Sequence, residues 1–137
     1  MKVAISTTDG IEITKDHYGD GKFFLIYEIG DRIKFIEKRE NNSPEEEHGA
    51  KEKAKGISAI LSDIPVFIGY QFGPNIMRIK DKFLPVISRE RKIEKALELL
   101  RKYENEIKKE LKAPRGRAII MNEGGIRFVE VKDTKDF

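Results

Sequence analysis

The segment Phe23-Phe24-Leu25-Ile26-Tyr27 runs for five residues without a polar interruption, and it constrains the architecture more than any other stretch of the chain. A strand with one wet face alternates apolar and polar residues. An unbroken apolar run bounded by turn residues instead marks a strand covered on both sides. Helices must therefore flank a sheet. The run extends over 22–29 and a second one follows over 32–39, separated by Gly30-Asp31, a two-residue connection that suits a primed hairpin turn.

Neighbouring segments extend this sheet and supply its helices. Residues 2–6 (Lys-Val-Ala-Ile-Ser) read as a short apolar strand before an Asp9-Gly10 turn. Ser43-Pro44-Glu45-Glu46 carries helix-start chemistry, with Ser43 as cap, Pro44 at the first helical position and Glu46 closing a capping box. Ala50, Ala54, Ile57 and Leu61 then recur at helical spacing, mostly small residues that let a helix lie close to a sheet. Residues 65–70 read as a buried strand, Gly73-Pro74 opens a short helix to about Lys80, and 83–88 forms another strand. Pro85 has no N–H for a central ladder, which assigns its strand to a sheet edge.

Ile93, Leu97, Leu100, Ile107 and Leu111 trace one face of a long helix from about Arg89 to Lys112, with Glu98/Lys102 and Glu104/Lys108 pairing on its wet face. Residues 117–121 and 126–131, joined through Asn122-Glu123-Gly124-Gly125, form a second hairpin appended to the body. The 137 residues thus make one α/β domain, with a main part over 1–112 and a C-terminal β-hairpin extension over 113–137.

Composition removes several chemistries. The chain has no Cys, which excludes disulfides, zinc ribbons, cysteine-ligated clusters and cysteine nucleophiles. No apolar stretch reaches the ~18 residues of a membrane span, and the N-terminus lacks a signal-peptide run, so the expected location is the cytoplasm and no membrane partner is expected. Abundant Lys and Glu with a single Gln and no Trp is a bias of proteins from hot environments. The net charge of +3 is uneven, residues 78–117 alone carrying +7. Those cations alternate with Glu along the predicted long helix, so a solvated face is a simpler reading than a nucleic-acid strip.

In a sheet of this kind ligands bind outside the carboxyl ends of the parallel strands, where the loops part. Three segments reach that end: Asp16 to Lys22, His48-Gly49-Ala50, and Gly69 to Pro74. His17 lies in a polar, glycine-rich loop where its imidazole can meet a metal or a proton, with Asp16 and Asp20 close enough in sequence to fix its tautomer. A plain surface histidine is the alternative. His48 is the only other imidazole, and its spacing from His17 fits no compact metal motif; its simpler reading is a polar residue at a helix terminus. The loop ending at Gly73-Pro74 offers backbone N–H groups to an anion. Asp9 with Glu28 or Asp63 is a candidate two-metal carboxylate set, the basis of an alternative reading as a metal-dependent nuclease or phosphotransferase, although turn and capping roles explain these acids more simply.

Asp16-His17-Tyr18-Gly19 before Lys22-Phe23-Phe24, then His48-Gly49-Ala50 at a helix entrance, then a strand and Gly73-Pro74, resembles the dinitrogenase iron-molybdenum cofactor biosynthesis family over about residues 1–100. Family members show a His-Phe-Gly loop leading into an aromatic strand, a His-Gly-Ala step and a glycine-rich loop before a short helix. Tyr18 stands here for the Phe, and Tyr70-Gln71-Phe72 for a frequent Gly-Gly-Ile. The resemblance implies a ribonuclease H-like three-layer fold, a five-stranded mixed sheet with helices on its faces. It also implies a non-catalytic carrier of an iron-sulfur or iron-molybdenum type cluster that exchanges its cargo with cluster-assembly or acceptor proteins, as monomer or homodimer. By the same resemblance His17 is the first metal ligand and His48 the second, while Lys22 and the Gly69 to Gly73 loop contact the cluster's negative charge. A protein or nucleic-acid interaction module is the remaining alternative.

Overall fold

Seven strands join in one sheet in the order β3-β2-β1-β4-β5-β6-β7, seen in a computed structural model that describes residues 1–45, 49–133 and 137. The strands are β1 (Lys2–Thr7), β2 (Phe23–Ile29), β3 (Ile33–Glu40), β4 (Val66–Gly69), β5 (Leu84–Ser88), β6 (Arg117–Asn122) and β7 (Gly125–Glu130). β1, β4, β5 and β6 run parallel; the antiparallel β2–β3 hairpin joins β1 on one side, and β7 pairs antiparallel with β6 on the other. The architecture is mixed α/β. It differs from the expected five strands because the C-terminal hairpin is no appendage: β6 enters parallel to β5 and continues the same sheet.

Alternation along the strands divides the core. Ala4, Phe24, Ile26, Phe67, Ile87 and Ile120 face Ala54 and Ile57 of α1 (Ala50–Ile60) and Leu61 just after it. Val3, Ile5, Leu25, Ile68, Val86 and Ile119 face Ile93, Leu97 and Leu100 of α2 (Ile93–Lys102) and Ile107 of α3 (Glu104–Leu111). Both faces of β2 are therefore covered, as its apolar run requires. No described helix is long and apolar enough to cross a membrane.

Several local expectations are corrected. The first hairpin loop holds three residues, because Ile29 pairs with Ile33 and Gly30 N–H bonds back to the Arg32 carbonyl. Ser43 does not cap a helix: its hydroxyl donates to Asn41 Oδ1 at 2.6 Å, and α1 begins only after Gly49. Ser43 and Pro44 instead cross α1 at Gly56, where a Cβ would lie 2.8 and 2.9 Å from them. Glu46 and His48 fall outside the described residues. The short helix expected after Gly73 is present as a 3-10 run over Ile76–Lys82, broken at Ile79.

The predicted long helix is two, separated at Tyr103 (φ −103°, ψ 18°). The Glu104–Lys108 pair forms at 2.5 Å, whereas Lys102 Nζ sits over the Tyr103 ring rather than on Glu98. Pro85 lies in an interior strand, contrary to its edge assignment. Leu84 N–H bonds to Pro65 on the β4 side, so alternation turns the Pro85 nitrogen toward β6, and the β6 ladder begins one residue later at Val86↔Ile119. The missing donor thus falls outside the paired register.

Arg39 ties the β3 edge to the end of α1. Its guanidinium donates to both Asp63 oxygens (2.7 and 2.9 Å) and to the Ile60 carbonyl at 2.8 Å. That fork holds the Asp63 carboxyl down at about 2, below its ordinary 3.8. A depressed carboxyl stabilises the fold above its unfolded value and stops doing so as pH falls through the folded one. Asp63 is half exposed, so solvent screening limits the contribution to about 1 kcal/mol. Asp63→Asn should therefore be less stable than the wild type by about that amount at pH 7, with the gap closing between about pH 4 and pH 2. Urea unfolding of both proteins across that range measures it.

Candidate functional site

A column of aromatic rings sets the geometry at the carboxyl ends of β1 and β4. Phe83 stacks on Phe67 (4.1 Å between centroids), Phe67 on Tyr18 (5.1 Å), and Tyr18 on Phe72 (4.8 Å). All four rings are buried. Their sequence neighbours are thereby brought together: His17 precedes Tyr18, Gly73 follows Phe72, and the imidazole lies against the Gly73 Cα. A Cβ on Gly73 would fall 2.6 Å from His17 Cγ and Nδ1. Gly73 also holds φ +87°, a region open to glycine and unfavourable to other L residues. The structure thus unites two residues singled out from sequence, His17 and Gly73.

The turn that presents His17 is pinned from four sides. Ser6 Oγ, fully buried, donates to the Tyr18 carbonyl at 2.6 Å, and the Tyr18 hydroxyl donates to the Ala4 carbonyl at 2.7 Å. Burial pushes the Tyr18 phenol well above its usual range, which keeps that donor proton in place. Asn41 Nδ2 donates to the Gly19 and Gly21 carbonyls. Lys53, buried on α1, reaches Asp20 at 3.6 Å. Asp20 therefore serves Lys53, not the imidazole, and the His17 ring donates to neither neighbouring acid. His17 is half-buried.

Tyr70, Gln71 and Phe72 each have a place. Gln71 pairs with His17 in a parallel bridge, and its Nε2 donates to the Lys15 carbonyl at 2.7 Å. Phe72 joins the ring column. Tyr70 turns to the opposite sheet face, where the Arg89 and Arg91 guanidiniums lie 5.7 and 6.0 Å from its ring.

The loop's donors face an acceptor that sequence reasoning missed. Phe72 N–H and Gly73 N–H both bond to the Phe137 main-chain oxygen, at 2.5 and 2.8 Å, and the Phe137 ring stacks on Phe72 at 5.2 Å. Two successive amides on one oxygen form an oxyanion-type cradle. These donors come from the loop itself, not from a helix start. Nothing local in the sequence marks a contact between residues 72 and 137. Asn41, Ser6 and Lys53 were likewise missed, because the partners of each lie in distant segments.

The other candidates are placed apart. Gly69 lies beneath the rings, a Cβ there coming within 2.8 Å of Tyr18 Cδ1, so it makes room for packing. Lys22 is exposed just before β2, and its carbonyl accepts from Asn41 N–H. His48 lies outside the described residues. The three candidate acids do not converge. Asp9 follows the end of β1 and accepts from Ile11 and Glu12 N–H, which holds its carboxyl below the usual range. Glu28 pairs with the N-terminal ammonium and Asp63 with Arg39, both at the opposite end of β1 and β4. A six-residue strand separates these ends by about 20 Å, and no group of three His, Cys, Asp or Glu among the described residues is placed to hold a metal ion.

Comparison with curated proteins finds no match. A family model described as dinitrogenase iron-molybdenum cofactor matches residues 1–103, from β1 to the Tyr103 break and including His17, Gly69 and Gly73. The match spans most of the chain, which therefore belongs to the dinitrogenase iron-molybdenum cofactor family.

Proposed function

We propose that the protein is a non-catalytic carrier of a preassembled iron-sulfur or iron-molybdenum type cluster, with His17 as a metal ligand. The observation that carries this reading is the half-buried imidazole resting on Gly73, beside two loop amides that converge on one oxygen. A bare metal ion needs several protein ligands. A preassembled cluster brings its own sulfides, so one imidazole and N–H donors suited to negative charge are a sufficient set for a chain without Cys. Few protein bonds also suit hand-over to an acceptor protein, the class of partner the family membership favours. A ribonuclease H-like core is part of this proposal, supported by the mixed sub-sheet β3-β2-β1-β4-β5 with helices on both faces.

Anaerobic titration with isolated iron-molybdenum cofactor, followed by absorbance and EPR, tests the reading. The wild type should bind stoichiometrically and His17→Ala should bind about tenfold or more weakly, with unchanged urea unfolding. His48→Ala run alongside assigns or removes a second ligand. A His17→Ala protein that binds as tightly as the wild type would overturn the assignment.

A further inference from the structure

We propose that Phe137 is an internal ligand of the Phe72-Gly73 loop and competes with the anionic cargo for its amides. The inference rests on the carrier reading above and adds a regulation of the same site. Both amide donors that such a cargo would use are engaged by the Phe137 main-chain oxygen. The contact is complete as a recognition unit, two N–H bonds to one oxygen and an aromatic ring stacked at 16° on Phe72. It is also peripheral. Phe137 is only partly buried and caps the outer end of the ring column, so removing it leaves Phe83, Phe67, Tyr18 and Phe72 stacked.

The chemistry makes Phe137 a displaceable occupant. Two N–H bonds and one ring stack are a modest hold, so a cluster of several negative charges that also meets His17 wins the amides when it is present. Phe137 reoccupies them when it leaves. The apparent affinity of the loop for cargo is its intrinsic affinity scaled by the fraction of molecules with Phe137 undocked. By linkage, docking of Phe137 weakens cargo binding by the same factor as cargo weakens docking. His17 touches the same Gly73, so exchange at the amides takes place next to the metal ligand. Phe137 lies beyond the 1–103 stretch that carries the family match; the competition belongs to the part this chain adds.

Two measurements on wild type, Phe137→Ala and Phe137→Tyr test it. Amide hydrogen exchange should be faster at Phe72 and Gly73 by about tenfold in Phe137→Ala, the equivalent of one lost aromatic stack. It should stay at the wild-type rate in Phe137→Tyr. Anaerobic titration with isolated iron-molybdenum cofactor should then give about tenfold tighter binding to Phe137→Ala and wild-type binding to Phe137→Tyr. Unchanged exchange in Phe137→Ala overturns the proposal. So does faster exchange with equal or weaker cofactor affinity, an outcome that leaves the carrier reading standing. Absence of cofactor binding in all three proteins defeats the carrier reading and the competition together.

Discussion

Tyr18→Ala should be the most damaging single substitution in the chain, lowering the unfolding free energy by about 3–5 kcal/mol. The side chain is fully buried and touches Phe24, Phe67 and Phe72 at once. Truncation removes the middle of the ring column, leaves a cavity and strips the Ala4 carbonyl of a donor. Tyr18→Phe isolates the last effect: it keeps the rings and loses the hydroxyl bond of 2.7 Å, for about 1 kcal/mol. Urea unfolding of the two variants separates packing from hydrogen bonding. A Tyr18→Ala loss below about 2 kcal/mol, under the range for a buried aromatic, would mean that the column does not hold the loop.

Gly73→Ala should act on both stability and the site. At φ +87° an alanine is strained by about 1–2 kcal/mol, and its Cβ would overlap the His17 ring. One of the two must move. The expected result is a loss of about 1–3 kcal/mol together with weaker cofactor binding, because the imidazole swings off its seat. Tryptic and urea stability measured beside cofactor titration distinguishes the two effects. Full retention of binding in a destabilised Gly73→Ala would show that the imidazole works from another position.

Features that rest on local pattern were legible in the sequence. The two hairpins, the β1, β4 and β5 segments and the inward faces of α1 and α2 follow from apolar runs and helical spacing, which neighbours along the chain enforce. The features that failed depend on partners far away. Ser43 has the chemistry of a cap, but Asn41 recruits its hydroxyl, and the chain crosses Gly56 before α1 starts. The apolar stripe continues in phase through Tyr103, so periodicity could not show the break between α2 and α3. Pro85 obeys the rule that excludes proline from central ladders, yet it occupies a position where the ladder on its nitrogen side has not begun.

The candidate site divides in the same way. His17 and Gly73 were visible as an imidazole in a glycine-rich loop and a glycine before proline, and the structure puts them in contact. What holds them there was not visible, since the column alternates between residues 18, 67, 72 and 83. Tyr18 and Phe72 each look like ordinary core residues until the fold stacks them.

The placement of Pro85 also bears on the time before folding is complete. β5 is buried along its whole length, so until the α2–α3 crossover delivers β6 it presents a bare apolar edge, the kind of surface on which a second molecule can add a strand. At Pro85 that edge has no N–H to offer, so an intruding strand that runs past the Val86 to Ser88 register loses a ladder bond there. The proline that the finished sheet tolerates thus shortens the stretch of the nascent edge open to intermolecular pairing.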